Sequence, residues 1–206
     1  MYNTSEELVN DVEGTARIEK ISYYYNGNSA FGPDEIQIYM GHTNLSNFEN
    51  DSWVTTDNLA LVYDGEISVT NEEGWIDIVL SIPFTYNGTD NLVVGFDENT
   101  DGFHGSSDDF YSSATDSIMS LNYYSDGTNP NPTDLTSIPS ATTIAARPNT
   151  QFYFGALPTG PVVMFSSSDL SFSTIPAETE DSIQINIFNT GISTDRSWYI
   201  YRYFVV

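Results

Sequence analysis

Cysteine is absent from all 206 residues. That excludes disulfide staples and every cysteine-ligated zinc or iron–sulfur site. Positive charge is scarce: Lys20 and four arginines stand against 29 carboxylates, for a net charge of −24. A surface of that sign repels phosphate backbones and anionic lipid and attracts cations, so neither nucleic acid nor a membrane surface is expected as a partner. Solvation and cation binding explain the acidity equally well. The histidines are His42 and His104. There is no H-E-x-x-H helix and no G-x-S-x-G elbow, so no recognisable catalytic constellation is present, and the chain is read as non-catalytic. No apolar run is long enough to cross a bilayer as a helix, and none is expected to insert. Residues 1–30 lack a basic segment followed by an apolar one, so no signal peptide is expected there. No stretch sustains a three-to-four-residue apolar period with caps, so helices are not expected either.

What is abundant points to strands. The chain holds 14 tyrosines and 12 phenylalanines. Tyr, Phe, Thr, Val and Ile suit strands, and Gly, Pro, Asn and Asp suit the turns between them. The first strand is predicted over 16–25, followed by a turn at Asn26-Gly27-Asn28. Residues 35–40 alternate, with Ile36, Ile38 and Met40 facing in and Gln37 and Tyr39 facing out. Asp64-Gly65 reads as a hairpin between short strands at 60–63 and 66–70. A strand over 75–80 places Ile76, Ile78 and Leu80 on one face. Pro83 and Asn87-Gly88 punctuate before the strand that opens at Leu92. Further strands are expected near 117–124 and over 151–156, separated by a Pro/Thr/Ser-rich crossing at 129–143. About eight or nine short strands at regular turn spacing predict an all-β domain, a jelly-roll-like two-sheet β-sandwich over residues 1–156. Residues 157–161, Leu-Pro-Thr-Gly-Pro, read as a linker. Residues 162–206 predict an incomplete immunoglobulin-like segment, well short of the roughly 100 residues such a sandwich needs. Within it Ile183, Ile185 and Ile187 alternate with Gln184, Asn186 and Phe188. The tail, 192–206, ends in an aromatic run unlike anything before it.

Residues 91–111, NLVVGFDENTDGFHGSSDDFY, carry the most specific chemical pattern. Leu92, Val94 and Phe96 begin a buried strand, which then breaks into a loop of Asp, Asn, Ser and Gly. Asp97, Asn99 and Asp101 fall at every second position and Gly102 follows, with Asp108 at the twelfth. This is the calcium-loop spacing with Asp in place of the closing Glu. Calcium takes about six to eight hard oxygens, and a chain turning past glycine can aim alternate side chains and one carbonyl inward. The carbonyl would be that of Phe103, and Asp109 would be a spare carboxylate. A solvated Asx-rich turn explains the same residues without a metal. No amphipathic helices flank the loop, so a helix-loop-helix calcium sensor is excluded. His104 lies within this loop. His42, at a strand exit, is expected at the surface.

Aromatic residues beside Asn, Asp and Gln are the other candidate chemistry, because sugars stack on exposed rings. Tyr39, Trp53, Tyr123 and Tyr124 are the candidates, with Tyr23 beside them. Core or strand-face packing is the competing reading for each. Tyr39 is the strongest because Ile38 and Met40 already claim the inner face.

The segments ISYYYNG, EIQIYMGHT, LVYDGEISV and GWIDIVLSIPFTYNGTDNLVVGFDENT, with the Arg147-Pro148-Asn149 lead-in, resemble a known β-sandwich module. It recurs in secreted and cell-surface bacterial proteins exported by the type IX system and is akin to the cleaved-adhesin domains of gingipain-type proteins. The resemblance covers about residues 1–156. Residues 162–191 resemble the opening of an immunoglobulin-type repeat of the abnormal-spindle/hydin kind. These resemblances imply an adhesion or substrate-targeting module of a secreted or cell-surface protein, with a glycan or a protein at a cell surface or in the extracellular matrix as partner. A carbohydrate-binding module assisting a linked hydrolase and a purely architectural spacer are the alternatives, because such modules accompany many functions.

Overall fold

In the computed structural model the described residues are 16–49, 53–54, 59–102, 105, 107–125, 127–132, 138–157, 163–165 and 187–189. Among them there are strands and turns and no helix. The strands are β1 (Ala16–Tyr25), β2 (Phe31–Thr43), β3 (Ala60–Val69), β4 (Gly74–Tyr86), β5 (Asn91–Glu98), β6 (Ser112–Ala114), β7 (Ser120–Asn122), β8 (Thr142–Ile144), β9 (Ala146–Pro148), β10 (Thr150–Gly155), β11 (Val163–Phe165) and β12 (Ile187–Asn189).

Two three-stranded antiparallel sheets carry the fold, one in the order β10-β1-β4 and the other β3-β2-β5. Alternation explains why they pack. Ile18, Ile21, Ile78 and Leu80 come from the first sheet, and Ile36, Ile38, Met40 and Leu92 from the second; all eight are buried in one apolar cluster. Period two, with the β1 bulge between Ile18 and Lys20 bringing Ile18 into phase with Ile21, places each set on one face, and joining the two faces removes both from water. Each such side chain contributes about 1.5–3 kcal/mol by burial. The chain is therefore an all-β protein built as a β-sandwich. Two short ladders, β6–β9 and β7–β8, accompany the sheets.

The contacts divide the chain into two units, Met1–Ala156 and Leu157–Val206. In the second unit β11 and β12 pair antiparallel, with Met164 opposite Phe188. Ile183 and Ile185, and residues 158–161 of the expected linker, lie outside the described residues.

The structure corrects two expected breaks. Asp64-Gly65 is no hairpin: β3 runs unbroken through it, with Asp64 opposite Gln37 and Gly65 opposite Ile36. A continuous ladder from β2 outweighs the local turn preference. The lack of a side chain at Gly65 makes room for the Tyr63 ring, whose hydroxyl lies 3.1 Å from where a Cβ would stand. Pro83 does not end β4. The pairing with β1 slips there, from Lys20 opposite Val79 to Ile18 opposite Phe84, so the proline falls in a bulge and removes no ladder bond. By contrast, Asn87-Gly88 does turn the chain. The Asn87 side-chain oxygen accepts from the amides of Thr89 and Asp90 at 3.0 Å each, and Gly88 has φ 74°.

His42 is half-buried rather than at the surface. Its ring lies 5.0 Å from that of Phe84 and 5.9 Å from that of Tyr86, and its Nε2 accepts from the Asn87 amide at 3.1 Å. Burial pushes its pKa below 6.5, while Asp90 pulls the other way. A base whose folded pKa is depressed stabilises the fold above its unfolded pKa, and that stability is lost as pH falls below it. The wild type should therefore lose more stability between pH 7.5 and 5.5 than His42→Gln, which keeps an acceptor but no titration. Urea midpoints at the two pH values measure it; equal losses would show that His42 is not linked to folding.

Candidate functional site

The second sheet is packed on both faces near Val93. Leu92, Val94 and Phe96 alternate toward the sandwich interior, so Val93, Gly95 and Asp97 face the other way. Tyr39 stands opposite Gly95 on that outer face. The face is not open to water, because Phe48, Val93 and Met119 form a second buried cluster there, with Val54, Leu59, Ile118 and Leu121 against it. Tyr39 accordingly is 8% exposed, and its hydroxyl donates to Gln37 Oε1 at 2.8 Å. The alternation placed it on the correct side; the covering segment, distant in sequence, removes it from solvent.

A cleft of about 540 Å³ runs along β5, the edge strand of its sheet. Tyr23, Tyr39, Trp53, Phe96, Phe110 and Tyr123 give it an aromatic lining. Three of the four proposed ligand-stacking residues, Tyr39, Trp53 and Tyr123, are thus brought together. Tyr124 is not; it is 83% exposed and does not line the cleft. Trp53 is positioned by its indole nitrogen, which donates to the Pro139 carbonyl at 2.9 Å. Phe48 is tied to the far wall by its amide, which donates to the Ile118 carbonyl at 2.8 Å. Tyr23 meets Phe96 and Phe110 edge-on, at 5.9 and 6.3 Å. The remaining lining is mostly aliphatic, so the cleft suits apolar groups, with Asp97 and Arg147 as its charged lining residues. Sequence reading missed Phe96, Phe110 and Met119 as cleft residues. Phe96 carried the signal of a core residue, and only the end of its strand, beyond the packed interior, leaves it exposed.

The acidic loop is held by hydrogen bonds within itself and to neighbouring segments. Asn99 Nδ2 donates to Asp97 Oδ2 at 3.1 Å, Asn129 Nδ2 donates to Asn99 Oδ1 at 2.8 Å, and the Asn99 amide donates to the Glu35 carbonyl at 2.8 Å. Asp97 is half-buried, and that burial raises its carboxyl above the usual range, with the Asn99 bond opposing. Asp101 and Asp109 are exposed, and Asp108 is half-buried. Gly102 turns the chain at φ 123°. The Asp109 carbonyl accepts from the Asn26 amide at 3.0 Å, which pins this end of the loop to the β1–β2 turn. Among the described residues no three His, Asp or Glu side chains converge as a metal site. Phe103 and His104 lie outside the described residues.

No family model, no curated protein and no solved structure matches this chain, so its functional reading rests on its own residues.

Proposed function

We propose that this chain is a non-catalytic adhesion or substrate-targeting module of a secreted or cell-surface protein, and that it grips its partner in the cleft along β5. The observation that supports this is the aromatic and aliphatic lining, drawn from both sheets and from the 110–148 segment. Its volume of about 540 Å³ falls within the roughly 300–1,000 Å³ of ligand-binding clefts. Buried aromatic anchors dominate the affinity of protein contacts, and seating a partner's apolar side chains in an apolar cleft removes both surfaces from water.

The test is retention of the chain on immobilised fibronectin, collagen or fibrinogen, representing matrix proteins. Phe96 is exposed and lines the cleft, so Phe96→Asp changes the lining while leaving the buried core in place. Retention on at least one of these proteins, weakened roughly tenfold or more by Phe96→Asp, is expected for loss of an aromatic anchor. Retention on none of them, or retention unchanged in a variant that melts like the wild type, would overturn the assignment.

A further inference from the structure

The outer face of the β10-β1-β4 sheet carries a second set of aromatic residues that the cleft does not use. Tyr24 and Trp75 are opposite one another in the β1–β4 ladder, and their rings lie 5.1 Å apart. On its other side Tyr24 lies 5.4 Å from Tyr111, at an interplanar angle of 35°. The Tyr111 amide donates to the Tyr24 carbonyl at 2.8 Å, which fixes that third ring beside the end of β1. Trp75 is 39% exposed and Tyr111 44% exposed, so the row Trp75–Tyr24–Tyr111 meets water.

Polar groups continue the same face along the strands. Ser22 and Asp77 are opposite one another, as are Lys20 and Val79. On the β10 side Gln151 stands against Ser22 and Tyr153 against Lys20. Lys20 Nζ donates to Asp77 Oδ2 at 2.6 Å and lies 3.5 Å from the centre of the Tyr153 ring. Ser22 Oγ donates to Asp77 Oδ1 at 2.6 Å, Tyr24 donates to Glu73 Oε1 at 3.0 Å, and Tyr153 donates to Gln151 Oε1 at 2.8 Å. From Trp75 to Val79 the face runs about 13 Å at roughly 3.3 Å per residue.

We infer that this face is a binding platform for a neutral polysaccharide. Sugar rings present apolar C–H faces that lie on aromatic rings, and their hydroxyls both donate and accept. The platform offers both: three neighbouring rings, then Glu73, Asp77, Lys20 and Gln151 as hydrogen-bonding groups. Its charges are already paired within the protein, Lys20 with Asp77, and Tyr24 holds Glu73 in place. A polyhydroxylated ligand adds hydrogen bonds while leaving these pairs in contact with water. A protein partner would have to strip water from them, which costs more than it returns. The net charge of −24 disfavours an acidic polysaccharide. This inference deepens the adhesion reading at a separate face and does not depend on the cleft.

Native gels of the full chain containing xylan, galactomannan or mixed-linkage β-glucan in turn provide the test. At least one of the three should retard the wild type. Trp75→Ala should weaken that retardation roughly tenfold or more, the loss expected for one stacked anchor. Tyr111→Ala should weaken it in the same direction, while Tyr124→Ala and Phe96→Asp leave it unchanged. Should Trp75→Ala fail to fold, as judged by its melt, Tyr111→Ala decides. Retardation by none of the three polysaccharides, or retardation indifferent to the platform variants, overturns the inference. Loss of fibronectin, collagen or fibrinogen retention in Trp75→Ala, without polysaccharide binding, would assign the face to a protein partner and overturn it as well.

Discussion

Ile38→Ala is expected to destabilise the sandwich by about 2–5 kcal/mol, the range for truncating a buried isoleucine to alanine. Ile38 is 0% exposed in the middle of β2, the central strand of its sheet, between Tyr63 on one neighbour and Phe96 on the other. Its side chain belongs to the cluster that joins both sheets, so the space it leaves is lined by buried side chains held in place by their strands. The cost combines the lost transfer energy with the residual cavity. Domains of this kind hold only about 5–15 kcal/mol in all, so the variant should sit close to its unfolding limit. Val79→Ala, on the exposed face of β4, should change stability by less than about 0.5 kcal/mol. Urea unfolding with unchanged m-values reads both. A loss below about 1 kcal/mol for Ile38→Ala would mean that the two sheets do not share one core.

Gly27→Ala should be nearly as damaging, by at least about 2 kcal/mol, for reasons of backbone rather than packing. Gly27 turns the chain between β1 and β2 at φ 73°. A left-handed backbone costs a residue with Cβ about 1–2 kcal/mol by itself. Here a Cβ would also stand 2.6 Å from the Glu72 carbonyl carbon and 2.7 Å from Glu73 Cα, with the Glu73 amide nitrogen nearer still. The atoms met are backbone, and they cannot swing aside as a side chain would. The damage should spread, because Asn26 beside it anchors the acidic loop. Its side-chain nitrogen donates to the Ser107 carbonyl at 2.9 Å and its amide donates to the Asp109 carbonyl at 3.0 Å. Gly127→Ala is the comparison, since nothing lies within 4 Å of a Cβ there. Thermal melts should place Gly27→Ala well below the wild type and Gly127→Ala beside it. Coincident melts for all three would show that the turn adapts.

The strands that form the interior were legible from the sequence wherever alternation was strong. Residues 16–25 coincide with β1, and Ile36, Ile38 and Met40 all point into the core, as period two requires. Leu92 and Val94 do the same in β5. The all-β class follows from those runs together with the lack of any helical period. Of the short ladders only β7 was legible, inside the strand expected near 117–124. The β6 segment is Ser-Ser-Ala and β8 is Thr-Thr-Ile, too short and too polar to show a period, and each is a strand only because its partner is brought alongside. The same holds for the local signals that failed. Asp64-Gly65 and Pro83 state a preference worth about a kcal/mol or so, and a ladder of many hydrogen bonds on a buried face overrides it.

The two candidate sites belong almost wholly to the tertiary structure. Tyr39, Trp53 and Tyr123 could be named as aromatic candidates from the sequence, but only the covering segment makes them walls of one cleft and leaves Tyr124 outside it. Trp75 did carry a signal, since it falls out of phase with Ile76, Ile78 and Leu80 and so had to face outward. Nothing in the sequence places Tyr24 and Tyr111 beside it. The β1–β4 register and the bridge from Tyr25 to Phe110 bring three distant segments to one sheet face. Alternation determines which side of its own strand a residue occupies; which strands become neighbours depends on how the whole chain buries its apolar faces at once.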